Sequence, residues 1–123
     1  MKPFAITKAG SAQEAVTAAT PANHMYIAGG TTMVDLMKYH VLTPDRVVDV
    51  GRLDLKAIGL EDDKLVIGSG ATMTEVAYHP DVDRYFPGIR DGLLLAASQG
   101  LRNAATMGGN IMQRTRCPYR TVR

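Results

Sequence analysis

Tryptophan is absent from this chain of 123 residues, cysteine occurs once, at Cys117, and two phenylalanines and five tyrosines are the whole aromatic complement. A single cysteine excludes an internal disulfide and fits a reducing compartment, so a cytoplasmic location is expected. His24, His40 and His79 stand in no metal-ligand spacing, and neither an HExxH run nor a CxxC pair occurs. Long apolar runs are missing too. The longest, Leu93 to Ala97, falls far short of the roughly 20 residues that span a bilayer, and the start from Met1 to Thr7 lacks the apolar segment of a secretion signal. No membrane association is expected. No Gly-x-x-x-x-Gly-Lys-Ser/Thr run exists, and Gly68-Ser69-Gly70-Ala71-Thr72-Met73 opens like a dinucleotide fingerprint but puts methionine at its third glycine. Neither a P-loop nor a Rossmann site is supported, although Gly70 and Ala71 could still line a ligand pocket.

Acidic residues are missing from the last quarter of the chain. All twelve lie within residues 1–91, whereas residues 92–123 hold Arg102, Arg114, Arg116, Arg120 and Arg123 and no acid. A nucleic-acid face usually adds exposed aromatics to such arginines, and only Tyr119 accompanies them here. Nucleic acid is therefore not an expected partner.

What is present is an ordinary globular composition, 46% hydrophobic and 21% charged, in a length that suits one domain or two small lobes. No low-complexity or repeated segment is evident. Ser11 to Glu14 forms a capping-box pattern ahead of a helix that Thr20-Pro21 ends. Met25 to Ile27 suits a strand, Thr32 to Tyr39 a helix favoured by Asp35 in its first turn, and Arg46 to Val50 a second strand, together a small βαβ unit. Beyond Gly51 the pattern predicts a hairpin of 57–60 with 64–68 around the acidic turn Glu61-Asp62-Asp63. A second capping box at Thr72 to Glu75 opens a helix that Pro80 should end, and residues 88–98 suit a longer helix with Ile89, Leu93 and Ala96 on one face. The expected class is α+β, divided into lobes 1–55 and 56–123. Thr115 to Arg123 closes no element, so the chain is expected to be an N-terminal fragment, its arginine-rich end exposed by truncation and open to self-association.

Two glycine-rich turns carry the chemistry: Ala28, Gly29, Gly30, Thr31 and Thr32, and then Thr106, Met107, Gly108, Gly109 and Asn110. Each presents backbone N–H groups where a side chain would obstruct an anion, and the first sits where a strand meets a helix N-terminus. Thr31, Thr32 and Thr106 could add hydroxyls, and Asn110 its side-chain amide. Either turn alone is equally a glycine turn without a ligand. Two together suit one diphosphate held from two sides.

The stretch from Tyr26 to Lys38, with Leu101-Arg102-Asn103 and Thr106 to Tyr119, resembles the FAD-binding subunit of molybdenum hydroxylases, the xanthine dehydrogenase and aldehyde oxidoreductase family. The resemblance covers nearly the whole chain. It implies a vanillyl-alcohol-oxidase (PCMH) type FAD-binding fold, truncated here, in which both loops bind the FAD pyrophosphate. It further implies an electron-transfer module of an FAD-dependent oxidoreductase, taking electrons from iron–sulfur centres and passing them to an acceptor. Its partners would be a molybdenum-binding large subunit carrying molybdopterin and a [2Fe–2S] small subunit. One branch of the family also carries a [4Fe–4S] cluster near the position of Cys117. One thiolate cannot hold that cluster, which needs four. The alternative is a non-redox nucleotide- or anion-binding module.

Overall fold

A computed structural model of the chain describes residues 1–113. The first sheet is built from β1 (Ala5–Lys8), β2 (His24–Ile27) and β3 (Arg46–Asp49), all parallel in the order β1-β3-β2. Ile6, Val47 and Met25 stand side by side across the strands, as do Thr7, Val48 and Tyr26. The central strand carries the apolar pair the sheet needs, Val47 and Val48, both essentially without exposure. Two connecting helices, α1 (Ala12–Ala19) and α2 (Met33–Lys38), complete this part. Val48 packs with Ala9, Ala15 and Leu53 in one cluster.

β1 is an addition to the expected βαβ unit. It is an edge strand of four residues with Ile6 largely exposed, held by β3 and by the Ala5 N–H bond to the Asp45 carbonyl. The Ser11 hydroxyl accepts from Glu14 N–H as the capping pattern requires, but the Glu14 carboxylate reaches Gly10 N–H, one residue before the cap.

The second part opens with the expected hairpin, β4 (Ile58–Glu61) antiparallel to β5 (Lys64–Ile67), turning through Asp62 and Asp63 in left-handed conformations. Five short helices follow: α3 (Met73–Ala77), α4 (Pro80–Tyr85), α5 (Pro87–Leu95), α6 (Gln99–Ala104) and α7 (Met107–Ile111). Their core joins Ala71, Met73, Val76, Ala77, Val82 and Leu93, with Ile58, Leu65 and Ile67 of the hairpin packed against it.

Four expectations are corrected here. Pro80 does not end α3, which stops at Ala77; it is the first residue of α4, where its missing N–H costs nothing. The helix expected over 88–98 is α5, shifted forward, with Leu93 buried but Ile89 exposed and Ala96 serving as the cap. α6 and α7 replace what the glycines suggested was loop. Ala71 is fully buried in the core, so it lines no pocket wall. Arg114 to Arg123, with Cys117 and the expected ragged end, lie outside the described residues. Among the described residues no helix is long and apolar enough to cross a membrane.

Candidate functional site

The first loop leaves β2 at Ile27 and enters α2 through Thr32. Gly30 takes the left-handed φ of 71°, which turns the backbone into the helix. Gly29 has a different constraint. A Cβ there would overlap the carbonyl oxygen of Ala104 and stand 2.6 Å from its carbon, so only glycine lets this loop touch the segment just before Thr106. The structure therefore brings the two loops together. Among the described residues, the N–H groups of Gly29, Gly30, Thr31 and Thr32 meet no acceptor. Thr32 makes no side-chain cap, and Asp35 sits in the first turn of α2 with its interactions satisfied.

The second loop is the first turn of α7, and its amides after Thr106 are already committed. Met107 N–H donates to the Ala71 carbonyl at 2.8 Å, Gly108 N–H to Ser69 at 2.9 Å, and Asn110 N–H to Thr106 at 2.8 Å. Gly109 N–H donates to the Thr106 hydroxyl at 3.2 Å. Asn110 directs one of its two side-chain amide hydrogens at the Met73 sulfur, 3.3 Å from Nδ2, and its Oδ1 accepts from Gln113. Gly108 packs so closely on Ser69 that a Cβ would lie 2.9 Å from the serine Cβ, whereas one on Gly109 would meet only the Thr106 hydroxyl, at 3.0 Å. Gly109 alone of this pair meets a side-chain atom and no backbone.

A local symmetry explains the order of this turn. Ala71-Thr72-Met73 and Ala105-Thr106-Met107 are the same tripeptide, and they pair antiparallel through an isolated bridge between Thr72 and Thr106. Met73 N–H donates to Ala105 and Met107 N–H to Ala71, at 2.9 and 2.8 Å. Each threonine then caps its own helix by accepting from the third helical N–H, that of Glu75 in α3 and of Gly109 in α7. The two halves part at that third residue. In α3 the Glu75 carboxylate returns to Thr72 N–H at 2.7 Å, a complete capping box. That hydrogen bond holds the Glu75 carboxyl below the usual glutamate range, more than burial raises it. In α7 glycine stands in place of the glutamate, and Thr106 N–H has no acceptor among the described residues. The carboxylate that completes the cap of α3 thus has no counterpart in α7. The repeated Ala-Thr-Met was the sequence signal for this pairing, and motif reasoning passed over it.

The histidines have local roles. His79 Nδ1 accepts from Asp81 N–H at the start of α4, His24 Nδ1 lies 2.8 Å from the Ala18 carbonyl, and His40 meets the N-terminal ammonium. Among the described residues no group of three or more His, Cys, Asp or Glu is placed to hold a metal ion. Two open clefts, about 340 and 490 Å³, share Tyr78 and Pro80 and include no glycine-loop residue. Of the five C-terminal arginines only Arg102 lies in the described residues, and its guanidinium is spent on main-chain carbonyls.

With this geometry in view, comparison with known proteins is direct. Residues 2–117 match the family model described as the FAD binding domain in molybdopterin dehydrogenase. The chain is 40% identical over 121 residues to the aldehyde oxidoreductase FAD-binding subunit PaoB of Escherichia coli K12, covering 97% of this chain and 38% of the relative. It is 36% identical over 87 residues to the putative xanthine dehydrogenase FAD-binding subunit XdhB of the same organism, covering 69% and 30%. Among solved structures, a chain of the reconstituted CO dehydrogenase from Oligotropha carboxidovorans superposes with a TM-score of 0.85 at 29% identity, covering 88% of this chain and 39% of that one. Quinoline 2-oxidoreductase from Pseudomonas putida 86 gives 0.83 at 27% identity, covering 89% and 40%. The chain thus spans at most two fifths of the length of these relatives.

Proposed function

Because this chain belongs to the family of FAD-binding domains of molybdopterin dehydrogenases, we propose that its two glycine-rich loops close on the diphosphate of FAD. The observation that carries this reading is the Gly29–Ala104 contact, which sets a row of uncommitted amides against the Thr106 cap. Gly29, Gly30, Thr31 and Thr32 supply backbone donors from one side, with Ala28 setting the entry from β2. Thr106 supplies its N–H and its hydroxyl hydrogen from the other. Gly108, Gly109 and Asn110 build the wall: Gly108 and Asn110 brace it, and Gly109 leaves room. Several N–H donors converging on one anion, without a bulky side chain between them, suit a diphosphate.

When bound, FAD supplies the redox chemistry, accepting electrons and passing them to an acceptor. The chain's own residues bind and orient the cofactor, and none is needed as an acid or base. The wider activity is that of an oxidoreductase subunit, working beside a molybdenum-binding large subunit and a [2Fe–2S] small subunit. The names of the E. coli relatives, both FAD-binding subunits of oxidoreductases, support this class. The division into lobes 1–55 and 56–123 is part of the same reading, with the diphosphate seated at the seam.

Titration calorimetry with FAD, FMN and ADP tests the assignment. FAD and ADP share a diphosphate, whereas FMN has one phosphate, so FAD should bind tightest and ADP should compete with it. Equal affinity for all three would reduce the site to a general anion binder, and no binding of any would remove the reading.

A further inference from the structure

Leu101-Arg102-Asn103 belongs to the stretch that carries the family resemblance, yet no part of the flavin reading uses it. Its placement gives it a task. Arg102 sits in the last turn of α6, and its Nη1 donates back to the carbonyls of Ala96 and Ala97, at 3.0 and 2.8 Å. These are the carbonyls at which α5 ends, and Ala97 there adopts a left-handed φ of 52°, a strained conformation for alanine. A cation on terminal helix carbonyls is favoured both by hydrogen bonding and by the helix dipole. Among the described residues no carboxylate pairs with Arg102, so the two carbonyls are its anchorage. At the next residue of α6, the Thr74 hydroxyl donates to Asn103 Oδ1 at 2.7 Å and ties the helix to α3. α6 is thus fixed at both neighbours, and the residue that ends it is Ala104, whose carbonyl meets Gly29.

We propose that Arg102 is a positioning residue for the flavin site: by holding the α5–α6 corner it sets where Ala104 stands, and so the spacing between the two glycine loops. It touches no ligand in this arrangement. Its effect passes through six residues of helix, an element stiff enough to convert a shift at the corner into a shift at the loop. The inference rests on the flavin reading for its consequence, but its geometry is independent of any ligand.

Two measurements separate the inference from that reading. In the chain without FAD, amide exchange at Met107 and Gly108 should be about tenfold faster in Arg102→Met than in the wild type, while Val47 and Val48 of β3 keep their protection. In the chain loaded with FAD, R102M should bind about tenfold more weakly and change the visible circular dichroism of the flavin, and R102K, which keeps a cationic donor, should recover part of both. If R102M does not fold, Thr74→Val releases α6 from α3 and should change exchange and dichroism in the same direction. Unchanged exchange at Met107 and Gly108 in the folded variant would overturn the proposal whether or not FAD binds. Equal behaviour of R102K and R102M would overturn it as well. A wild type that binds no FAD, with the exchange difference present, would remove the flavin reading and leave the corner's control of the loop standing.

Discussion

Gly29 and Gly109 each belong to a glycine pair in a candidate loop, yet the structure gives them different work. Valine at Gly29 would drive its side chain into the Ala104 backbone, which cannot swing aside as a side-chain end can. Gly29→Val should therefore lower stability itself, by about 1–3 kcal/mol or more, visible in a thermal melt without any ligand. Gly109→Val presses on the Thr106 hydroxyl, a side chain rather than backbone, so its melting temperature should fall less than that of Gly29→Val while FAD affinity falls. Retained affinity in a folded G109V protein would place the diphosphate elsewhere. Glu75 makes a third residue-scale test. Its carboxyl is depressed by the bond from Thr72 N–H, so it favours the fold at neutral pH, and that contribution disappears as pH falls through its folded-state value. Melting temperatures of wild type and Glu75→Gln should differ at pH 7, and the gap should narrow as pH falls below the ordinary glutamate value of about 4.3. A constant gap across that window would assign the carboxylate no such role.

At the scale of elements, the paired helices α3 and α7 carry an internal comparison. Thr72 N–H already donates to a carboxylate, whereas Thr106 N–H has no such acceptor among the described residues. On addition of FAD or ADP, the Thr106 amide resonance should move downfield toward that of Thr72, and Thr72 should hardly move; the reverse pattern would contradict the site. Capping chemistry was the part of the fold most legible in the sequence. The Thr72–Glu75 box is complete, because its two bonds depend on spacing alone, and the Ser11 cap holds although Glu14 chose Gly10. Pro80 shows the limit of such signals: proline stops one helix or starts the next, and Tyr78-His79 provided room for both. α6 and α7 escaped notice because two glycines and short polar stretches read as loop. α6 starts on a Ser98 hydroxyl that accepts from Leu101 N–H, and α7 is stabilised by the Thr106 cap and the bridge to Thr72, the latter invisible in local propensity. The candidate loops themselves were legible as glycine-rich turns leading into helices. Which amides remain open was not, since the partners of Met107 and Gly108 lie on Ala71 and Ser69, far back along the chain.

For the molecule as a whole, two small cores leave much apolar surface outside, with Leu95, Ile111 and Met112 each more than three quarters exposed. A chain with one cysteine does not by itself supply the four thiolates of an iron–sulfur cluster. Loaded with FAD but without partners, it should leave aldehydes and purines unoxidised in the presence of an artificial electron acceptor; substrate-dependent turnover by the purified chain would refute that. The contact of Gly29 with Ala104 has one further consequence, in the order of folding. Its two ends lie more than half the chain apart, so it closes a long loop and brings its reward only after that entropy has been spent. Each core can condense from nearer neighbours first, and the seam where the phosphate would sit is among the last features to form. Gly29→Ala should then speed unfolding while leaving the folding rate nearly unchanged in stopped-flow measurements. A chain interrupted during synthesis before residue 104 would have a first glycine loop of correct sequence with nothing to close against.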